Sequence, residues 1–260
     1  MLDAMPEPAQ SGSDVFLLKL SHGAALTEAD EQTVRALTGN AKDYRARQMI
    51  LMEGDVPSHL FLIQSGWVYR QKYLENGKRQ IINVLLPGDL AGPFGALPPM
   101  ITHSIRAATA VTASLIDPGR LRLAAEDSAT LGQALWWDLL LATVSAQERA
   151  VTLGALDAME RVGHLFCELH HRLSITGQVQ AGEFDMPMTQ ADIGDTVGLS
   201  TVHVNRCMQE LRATGLLSFS GGRARVHNFK ALASRSMFEA PAYYPPRPVD
   251  TLPTSAMCRR

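Results

Sequence analysis

The sequence predicts an α+β protein in which an N-terminal antiparallel β domain is followed by a long helix and a C-terminal winged helix-turn-helix. Three observations predict this order. Short apolar runs alternate with turn residues from position 44 to 117, a proline-free stretch extends from 128 to 173, and two short helix patterns joined by a glycine occupy 189 to 217. Strand-like runs at regular spacing are typical of antiparallel sandwiches and barrels.

The β domain is predicted from its turns. Gly54–Asp55, Ser65–Gly66, Asn76–Gly77 and the PGD at 87–89 recur about every ten residues. An Asn-Gly pair between two strand-like runs is a strong signal for a tight hairpin, so we expect YRQKYL and RQIINVLL to pair as antiparallel neighbours.

The proline-free stretch is predicted to be helical, with Asp157 as the N-cap of a second helix. Two interleaved positions repeat every seven residues, which is typical of the seam of a coiled-coil dimer. These candidate interface residues are Leu135, Leu139, Ala142, Ala146, Arg149, Leu153 and Leu156. A long helix packed on its own domain would show the same repeat.

The helix-turn-helix is predicted from local capping signals. Thr189 with Asp192 approximates a capping box, Gly198 permits a sharp turn, and Ser200 is a second N-cap. Val204 and Leu211, with Met208 between them, follow the spacing of a buried helix face. The opposite face and the two N-caps give the candidate DNA contacts: Thr189, Ser200, Thr201, Val202, His203, Asn205, Arg206 and Gln209.

A polar stripe near a positive helix end suits phosphates and base edges, and Arg206 is the best candidate for guanine. An ordinary helical hairpin with a solvated face would share this spacing.

The runs LLSF and RARVH, separated by Ser220-Gly221-Gly222, predict a two-stranded wing. Its Arg223 and Arg225 lie at alternate positions, so they share one face and are candidate phosphate contacts.

The TQADIG opening, the GLS turn and the VNR-x4-L-x3-GLL close resemble the winged helix-turn-helix of the Crp/Fnr family of bacterial transcription regulators. EGD, HLFLIQSG and LPGDLAG resemble the turns of the cyclic-nucleotide-binding β-roll of that family. The resemblance implies a homodimer that binds a near-palindromic DNA site and contacts RNA polymerase. The family's best-known members carry glutamate at the place of Val202, so we expect a different DNA consensus here.

This resemblance also implies a division of the chain. We expect a flexible N-terminus (1–20), a cyclic-nucleotide-binding-like sensor domain (21–127), a dimerisation helix (128–156), a winged helix-turn-helix domain (157–238) and a disordered tail (239–260). The alternative to a DNA-binding regulator is a sensory module that controls a protein partner.

The effector pocket is predicted to be degenerate. Family members that bind cyclic AMP use a Gly-Glu pair on the ribose and an Arg-Ser pair on the phosphate. The matching positions here read Gly92, Pro93, His103 and Ser104. Proline offers no carboxylate and a neutral histidine is a poor substitute for a guanidinium, so we expect no binding of cyclic AMP.

Cofactors and catalysis are not expected. No cysteine precedes Cys167, which argues against an iron–sulfur cluster, and isolated histidines do not predict haem. His164, Cys167, Glu168 and His171 share one helix face, a pattern that leaves a metal site open although such residues usually only pack. The chain has no glycine-flanked nucleophile, HExxH or P-loop, so we expect no enzyme.

Charge and hydropathy fit an intracellular DNA-binding protein. The net charge is −2, but residues 186–260 hold nine Lys and Arg against five Asp and Glu (+4), which leaves fifteen against twenty-one (−6) for the rest. A basic C-terminal region beside an acidic front suits contact with DNA through one end. We expect no signal peptide and no membrane span, and hence a cytoplasmic protein.

Overall fold

The β domain forms because its alternating apolar runs can bury one face against each other. The computed structural model describes residues 11–92 and 101–240. Within them the domain has two four-stranded sheets, ordered β1-β8-β3-β6 and β2-β7-β4-β5, with every pairing antiparallel as predicted. The strands are β1 (Ala41–Tyr44), β2 (Met49–Leu51), β3 (Leu60–Ser65), β4 (Val68–Tyr73), β5 (Arg79–Leu85), β6 (Leu90–Ala91), β7 (Ser104–Ala107) and β8 (Val111–Ile116).

The predicted β4–β5 hairpin is confirmed, and Gly77 at its turn has a φ of +78°.

Helices precede and follow the β domain along the chain. The remaining elements are α1 (Gly12–Ser21), α2 (Glu28–Leu37), α3 (Pro118–Asp127), α4 (Ala129–Ala155), α5 (Ala158–Ile175), β9 (Glu183–Asp185), α6 (Gln190–Val197), α7 (Thr201–Ala213), β10 (Leu217–Ser220), β11 (Arg223–Val226) and α8 (Phe229–Arg235).

The N-terminal segment is ordered from residue 12, so the prediction of a flexible stretch up to residue 20 is wrong for α1. The run VFLLKL places Val15, Phe16 and Leu20 in the interior, where Phe16 and Leu20 share a core with Leu60 and Leu131. Burying large apolar side chains stabilises the helix against the domain by roughly 1.5–3 kcal/mol each. Residues 1–10 lie outside the described part of the chain.

Helix α4 falls within the predicted range 128–156, and Asp157 caps α5 with a full capping box. The predicted seam on α4 is wrong at two positions. Leu135 is buried in the core shared with α1, and Arg149 is buried against Glu168 of α5 at 2.6 Å. Leu139, Leu153 and Leu156 are half-buried, and Ala142 and Ala146 are exposed. Part of the seven-residue repeat of α4 therefore faces the interior of the same chain.

The C-terminal half of the chain shares one core with the β domain. Trp67, Tyr69, Ile81 and Val84 pack in the same cluster as buried residues of α5, α6 and α7. Among residues 11–92 and 101–240, none of the helices has the length and hydropathy that a membrane span requires. Of the predicted disordered tail, residues 241–260 lie outside the described part, as does Pro93 of the predicted effector pocket.

Candidate nucleic-acid interface

Helix α6 begins and ends as its sequence predicts. The amide of Asp192 donates to Thr189 Oγ1 at 3.1 Å, and the amide of Thr189 donates to Asp192 Oδ2 at 3.0 Å, which completes the capping box. Gly198 ends the helix with a φ of +71°, a conformation that glycine adopts without strain. The turn is closed by the amide of Leu199, which donates to the carbonyl of Gly194 at 3.0 Å.

Helix α7 packs its inner face on α5 and α6. Ser200 is its N-cap, with Oγ accepting from the amide of His203 at 3.3 Å. Val204 and Leu211 are fully buried, as predicted. Cys207 is buried beside them, whereas Met208 is only partly buried. Burial raises the pKa of the Cys207 thiol, so it remains protonated at neutral pH.

The outer face of α7 is exposed, which confirms the predicted orientation. Thr189, Ser200, Thr201, His203, Asn205 and Gln209 are all exposed, and the exposed fractions of Val202 and Arg206 are 80% and 65%. Val202 is the apolar member of this face and lies at its N-terminal end. The arrangement presents one apolar and several polar groups to a partner.

Three amides are linked across the helix-turn-helix. Asn205 Nδ2 donates to Gln190 Oε1 at 3.3 Å, and Gln209 Nε2 donates to Asn205 Oδ1 at 2.8 Å. Sequence reasoning missed Gln190, although its place at the first position of α6 in TQADIG could have identified it. It missed Glu210 too, which stands four residues after Arg206 with a 4.0 Å Nε–Oε1 separation.

The wing contains a third strand that sequence reasoning missed. Strand β9 pairs with β11, opposite the predicted β10. Arg223 and Arg225 share one exposed face, as predicted, but both contact carboxylates of β9. Arg223 Nε lies 3.1 Å from Glu183 Oε1 and 3.3 Å from Asp185 Oδ1, and Arg225 Nη2 lies 3.2 Å from Glu183 Oε2. Exposed ion pairs of this kind contribute at most about 1 kcal/mol to stability, so a DNA phosphate could replace the carboxylates as the partner of these arginines.

The β domain holds α6 through an arginine of its hairpin. Arg79 Nη2 lies 2.5 Å from Asp192 Oδ1, and Arg79 Nε lies 2.6 Å from Asp195 Oδ2. Gln80 Nε2 adds a hydrogen bond to the carbonyl of Thr196 at 3.2 Å. Burial opposes ionisation of Asp192, but hydrogen bonds from Thr189 and Arg79 hold its pKa below the usual range. Strand β5 of the β domain thus binds α6, the first helix of the helix-turn-helix.

Of the predicted effector residues, the structure describes Gly92, His103 and Ser104. Gly92 directly follows β6 and has a φ of +111°. Ser104 is buried, and its Oγ accepts from the amide of Glu53 at 3.1 Å. Burial, together with the charge of Arg70, lowers the pKa of His103 to about 4, so its imidazole is neutral at pH 7.

The histidine-rich face of α5 is occupied by packing and charge. Cys167 is fully buried, and burial raises the pKa of its thiol to about 12. His164 meets Phe238 edge to face at 5.1 Å, and the carboxylate of Glu168 binds Arg149. Within the described ranges, no three His, Cys, Asp or Glu side chains are grouped so as to hold a metal ion.

Known families match both halves of the chain. A family model described as a cyclic nucleotide-binding domain matches residues 41–127, and one described as a Crp-like helix-turn-helix domain matches residues 160–235. The anaerobic regulatory protein of Pasteurella multocida (strain Pm70) is 27% identical over 226 residues, 86% of this chain and 81% of that protein. The nitrogen fixation regulation protein FixK of Azorhizobium caulinodans is 28% identical over 222 residues, 85% and 86% of the two chains.

A solved structure shows the same architecture. The structure of FixK2 from Bradyrhizobium japonicum superposes with a TM-score of 0.69 at 28% sequence identity, covering 78% of this chain and 98% of that one. The two family models occur here in the order β domain then helix-turn-helix, joined by α4 and the start of α5. The chain therefore belongs to the Crp/Fnr family of transcription regulators, whose helix-turn-helix binds DNA and which are not enzymes.

Proposed function

We propose that this regulator binds a near-palindromic DNA site as a homodimer and selects its sequence through α7. The exposed stripe on α7 carries the proposal, because its side chains have no other cover in the described part of the chain. Two such helices related by a two-fold axis can enter successive major grooves, which is how dimeric helix-turn-helix proteins bind DNA. The preceding N-caps, Thr189 and Ser200, lie where a helix end can bind phosphate.

Within this stripe we assign base contacts by chemistry. Arg206 offers a fork of donors that matches guanine, and the linked amides of Asn205 and Gln209 match adenine. Val202 cannot accept a hydrogen bond from cytosine, but it can pack on a thymine methyl group. We therefore expect a site that differs from those bound by relatives with glutamate at this position. Arg223 and Arg225 of the wing would contact phosphates after leaving their carboxylate partners.

The experiment is selection of bound duplexes from a random library, followed by titration of the selected site. Arg206→Ala should weaken the selected site about 5–150-fold and leave random DNA nearly unchanged. Arg120→Ala, which removes an exposed arginine from α3, is the matched control and should have no effect. Equal losses on selected and random DNA would refute base recognition by Arg206, and a library without any preferred sequence would favour a protein-docking role.

Dimerisation is supported by the exposed side of α4. Trp136, Leu140 and Val151 are 69%, 55% and 57% exposed, although the helix is otherwise packed on α1, α3 and α5. Six exposed residues follow steps of four and three, the spacing of a coiled-coil seam: Trp136, Leu140, Thr143, Gln147, Ala150 and Gly154. Two of them, Thr143 and Gln147, are polar, and Val151 lies at the margin of this stripe. This stripe is rotated by one residue, about 100°, from the predicted seam. We propose that it joins the two protomers, with Leu139, Ala142, Ala146, Leu153 and Leu156 at its margin.

Leu140→Asp tests this interface. The charge would be buried in the dimer but solvated in the monomer, so we expect sedimentation to show a monomer. Leu123→Asp is the matched control, because Leu123 is 51% exposed on α3, away from the stripe. A dimer that persists in Leu140→Asp, or that is lost equally in Leu123→Asp, would contradict the assignment.

The remaining partners follow from the same proposal. We infer a cytoplasmic protein that contacts RNA polymerase and uses neither an iron–sulfur cluster nor haem. No cysteine precedes Cys167 in this chain, and that supports the absence of a cluster. We also infer that the effector pocket does not take cyclic AMP, since the Ser104 hydroxyl already binds the Glu53 amide and His103 is neutral.

A further inference from the structure

The outer face of the wing carries as many acids as bases. The wing is a three-stranded sheet in the order β10-β11-β9. In its register Arg223 lies opposite Asp185, and Arg225 lies opposite Glu183. Residues directly opposite each other in an antiparallel pair project from the same face of the sheet. The two carboxylates therefore cancel the charge of the two guanidinium groups on that face.

Strand β10 adds no charge to this side of the sheet. Ser218 lies opposite Arg225, and Ser220 lies opposite Arg223. Six residues thus form what we call the wing face: Glu183, Asp185, Ser218, Ser220, Arg223 and Arg225. The wing face is polar but not basic, which is unexpected in a surface predicted to contact phosphates.

Glu183 binds both arginines at once. Its Oε1 lies 3.1 Å from Arg223 Nε, and its Oε2 lies 3.2 Å from Arg225 Nη2. Asp185 adds a second contact to Arg223 at 3.3 Å, but its side chain is 82% exposed, against 29% for Glu183. A guanidinium binds carboxylate and phosphate through the same donors, so the two anions compete for it.

The backbone fixes Glu183 beside the arginines. The amide of Glu183 donates to the carbonyl of Gln180 at 2.9 Å, and the amide of Gln180 donates to the carbonyl of Glu183 at 2.9 Å. The amide of Val226 donates to the carbonyl of Gly182 at 2.9 Å, which joins this turn to β11. Glu183 therefore stays next to β11 when another anion approaches the arginines.

Arg212 shows the opposite arrangement next to the wing. Its Nη2 donates to the carbonyl of Phe219 on β10 at 3.1 Å. A carbonyl carries no net charge, and no carboxylate within residues 11–92 and 101–240 forms an ion pair with Arg212. The charge of Arg212 is therefore not neutralised, whereas the charges of Arg223 and Arg225 are.

We propose that Glu183 competes with DNA phosphates for Arg223 and Arg225, and that it thereby limits the sequence-independent affinity of the protein for DNA. This rests on the proposed function, in which the wing lies at the DNA backbone. Phosphate contacts carry no sequence information, so the effect is the same on every duplex. Glu183 is thus a positioning residue that holds both arginines on the wing face and neutralises them until a phosphate replaces it.

The salt dependence of binding measures this neutralised charge. Binding that neutralises Z phosphates falls with salt at a log–log slope of about −0.9Z, because counterions leave the DNA. Glu183→Gln removes one negative charge from each protomer, so the slope should become steeper by about 0.9 per protomer. Between about 1 M and 0.15 M salt, that slope amounts to roughly fivefold tighter binding per protomer.

The test is titration of the full chain with the selected duplex and with a random duplex over a series of salt concentrations. Glu183→Gln should tighten binding to both duplexes by the same factor and steepen both slopes. Glu126→Gln is the matched control, because Glu126 also pairs with an exposed arginine, Arg122 at 2.5 Å, but lies on α3. This control should change neither the affinity nor the slope.

Asp185→Asn serves as a second variant of the wing face. It removes only one contact of Arg223, so its effect should have the same direction as that of Glu183→Gln and be smaller. Damage to the wing would weaken binding, so tighter binding cannot result from misfolding. Unchanged or weaker binding in both variants would overturn the proposal.

A further set of variants separates competition for the arginines from simple repulsion of DNA by a carboxylate. In a chain that already carries Arg223→Ala and Arg225→Ala, Glu183→Gln should give less than half of its gain in affinity. A full gain without the two arginines would show that Glu183 only repels DNA, and the assignment would be wrong.

Failure of this proposal can be told from failure of the DNA proposal. If the wild-type chain selects no sequence from the library, the proposed DNA specificity fails. If it binds its selected duplex with an affinity and slope that Glu183→Gln does not change, only the role of Glu183 fails. The two residues also differ in signature, because Arg206→Ala should weaken the selected duplex alone, whereas Glu183→Gln should change both duplexes.

Discussion

Removing Arg79 should uncouple the DNA-binding helices from the β domain. Its guanidinium binds Asp192 at 2.5 Å and Asp195 at 2.6 Å, and the three side chains are 17%, 15% and 33% exposed. Arg79→Met keeps the aliphatic part of the side chain but leaves two neighbouring carboxylates of α6 without their shared cation. We expect the free energy of unfolding to fall.

The magnitude follows from the two contacts. A hydrogen bond to a charged group contributes about 1.5–3 kcal/mol, so two of them give roughly 3–6 kcal/mol. Partial exposure of Asp195 lets solvent screen its share, and the remaining contact of Asp192 with Thr189 persists. We therefore expect Arg79→Met to cost about 2–3 kcal/mol.

Urea unfolding followed by circular dichroism measures this change. Arg35→Met is the matched control, because Arg35 also binds a carboxylate, Asp14, at 2.7 Å but is 52% exposed. The control should cost less than about 1 kcal/mol. If Arg79→Met costs no more than Arg35→Met, the bridge does not couple the domains and the reasoning is wrong. A double-mutant cycle with Asp195→Asn should give a coupling of at least about 0.5 kcal/mol.

Two further predictions concern the turn at Gly198 and the half-buried His103. Gly198→Ala should lower the free energy of unfolding by about 1 kcal/mol in urea, because the φ of Gly198 is +71° and a Cβ is strained there even though the nearest atom is 3.6 Å away. An unchanged or higher free energy of unfolding would contradict this reasoning. The pKa of His103 is lowered to about 4 in the folded chain, so between pH 6.5 and 4 the unfolded chain binds a proton that the folded chain does not. The stability that His103 contributes above pH 6.5 is therefore lost as the pH falls towards 4. His103→Gln should flatten this part of the profile of unfolding free energy against pH, and an unchanged slope would refute the prediction.

The helix-turn-helix was predictable because its determinants are local. The capping box of Thr189, the left-handed turn at Gly198 and the N-cap Ser200 each act within four residues. The exposed stripe then follows from the helical period alone. The hairpin at Gly77 was predictable for the same reason.

Contacts between distant segments were not predictable in this way. Arg79 meets Asp192 across 113 positions, and no periodicity marks a single arginine in a strand as the partner of a later helix. The prediction for α4 included two residues that the chain itself covers, because a heptad repeat does not say whether a helix packs on its own chain or on a copy. Here Leu135 is covered by α1, and Arg149 is drawn to Glu168. Strand β9 has only three residues, too few to show alternation.

The contact between the β domain and the C-terminal domain restricts how any input can act. Trp67, Tyr69 and Ile81 are buried in the core of the C-terminal domain, so moving that domain away would expose them and also break the Arg79 bridge. A ligand reverses a two-state equilibrium from 1:99 to 99:1 only with a difference in binding of about 5.5 kcal/mol. A ligand of few atoms makes few contacts from which to gain such a difference. We therefore expect any small-molecule signal to act by small shifts within the packed arrangement, and we expect the Arg79 bridge to carry those shifts to α6.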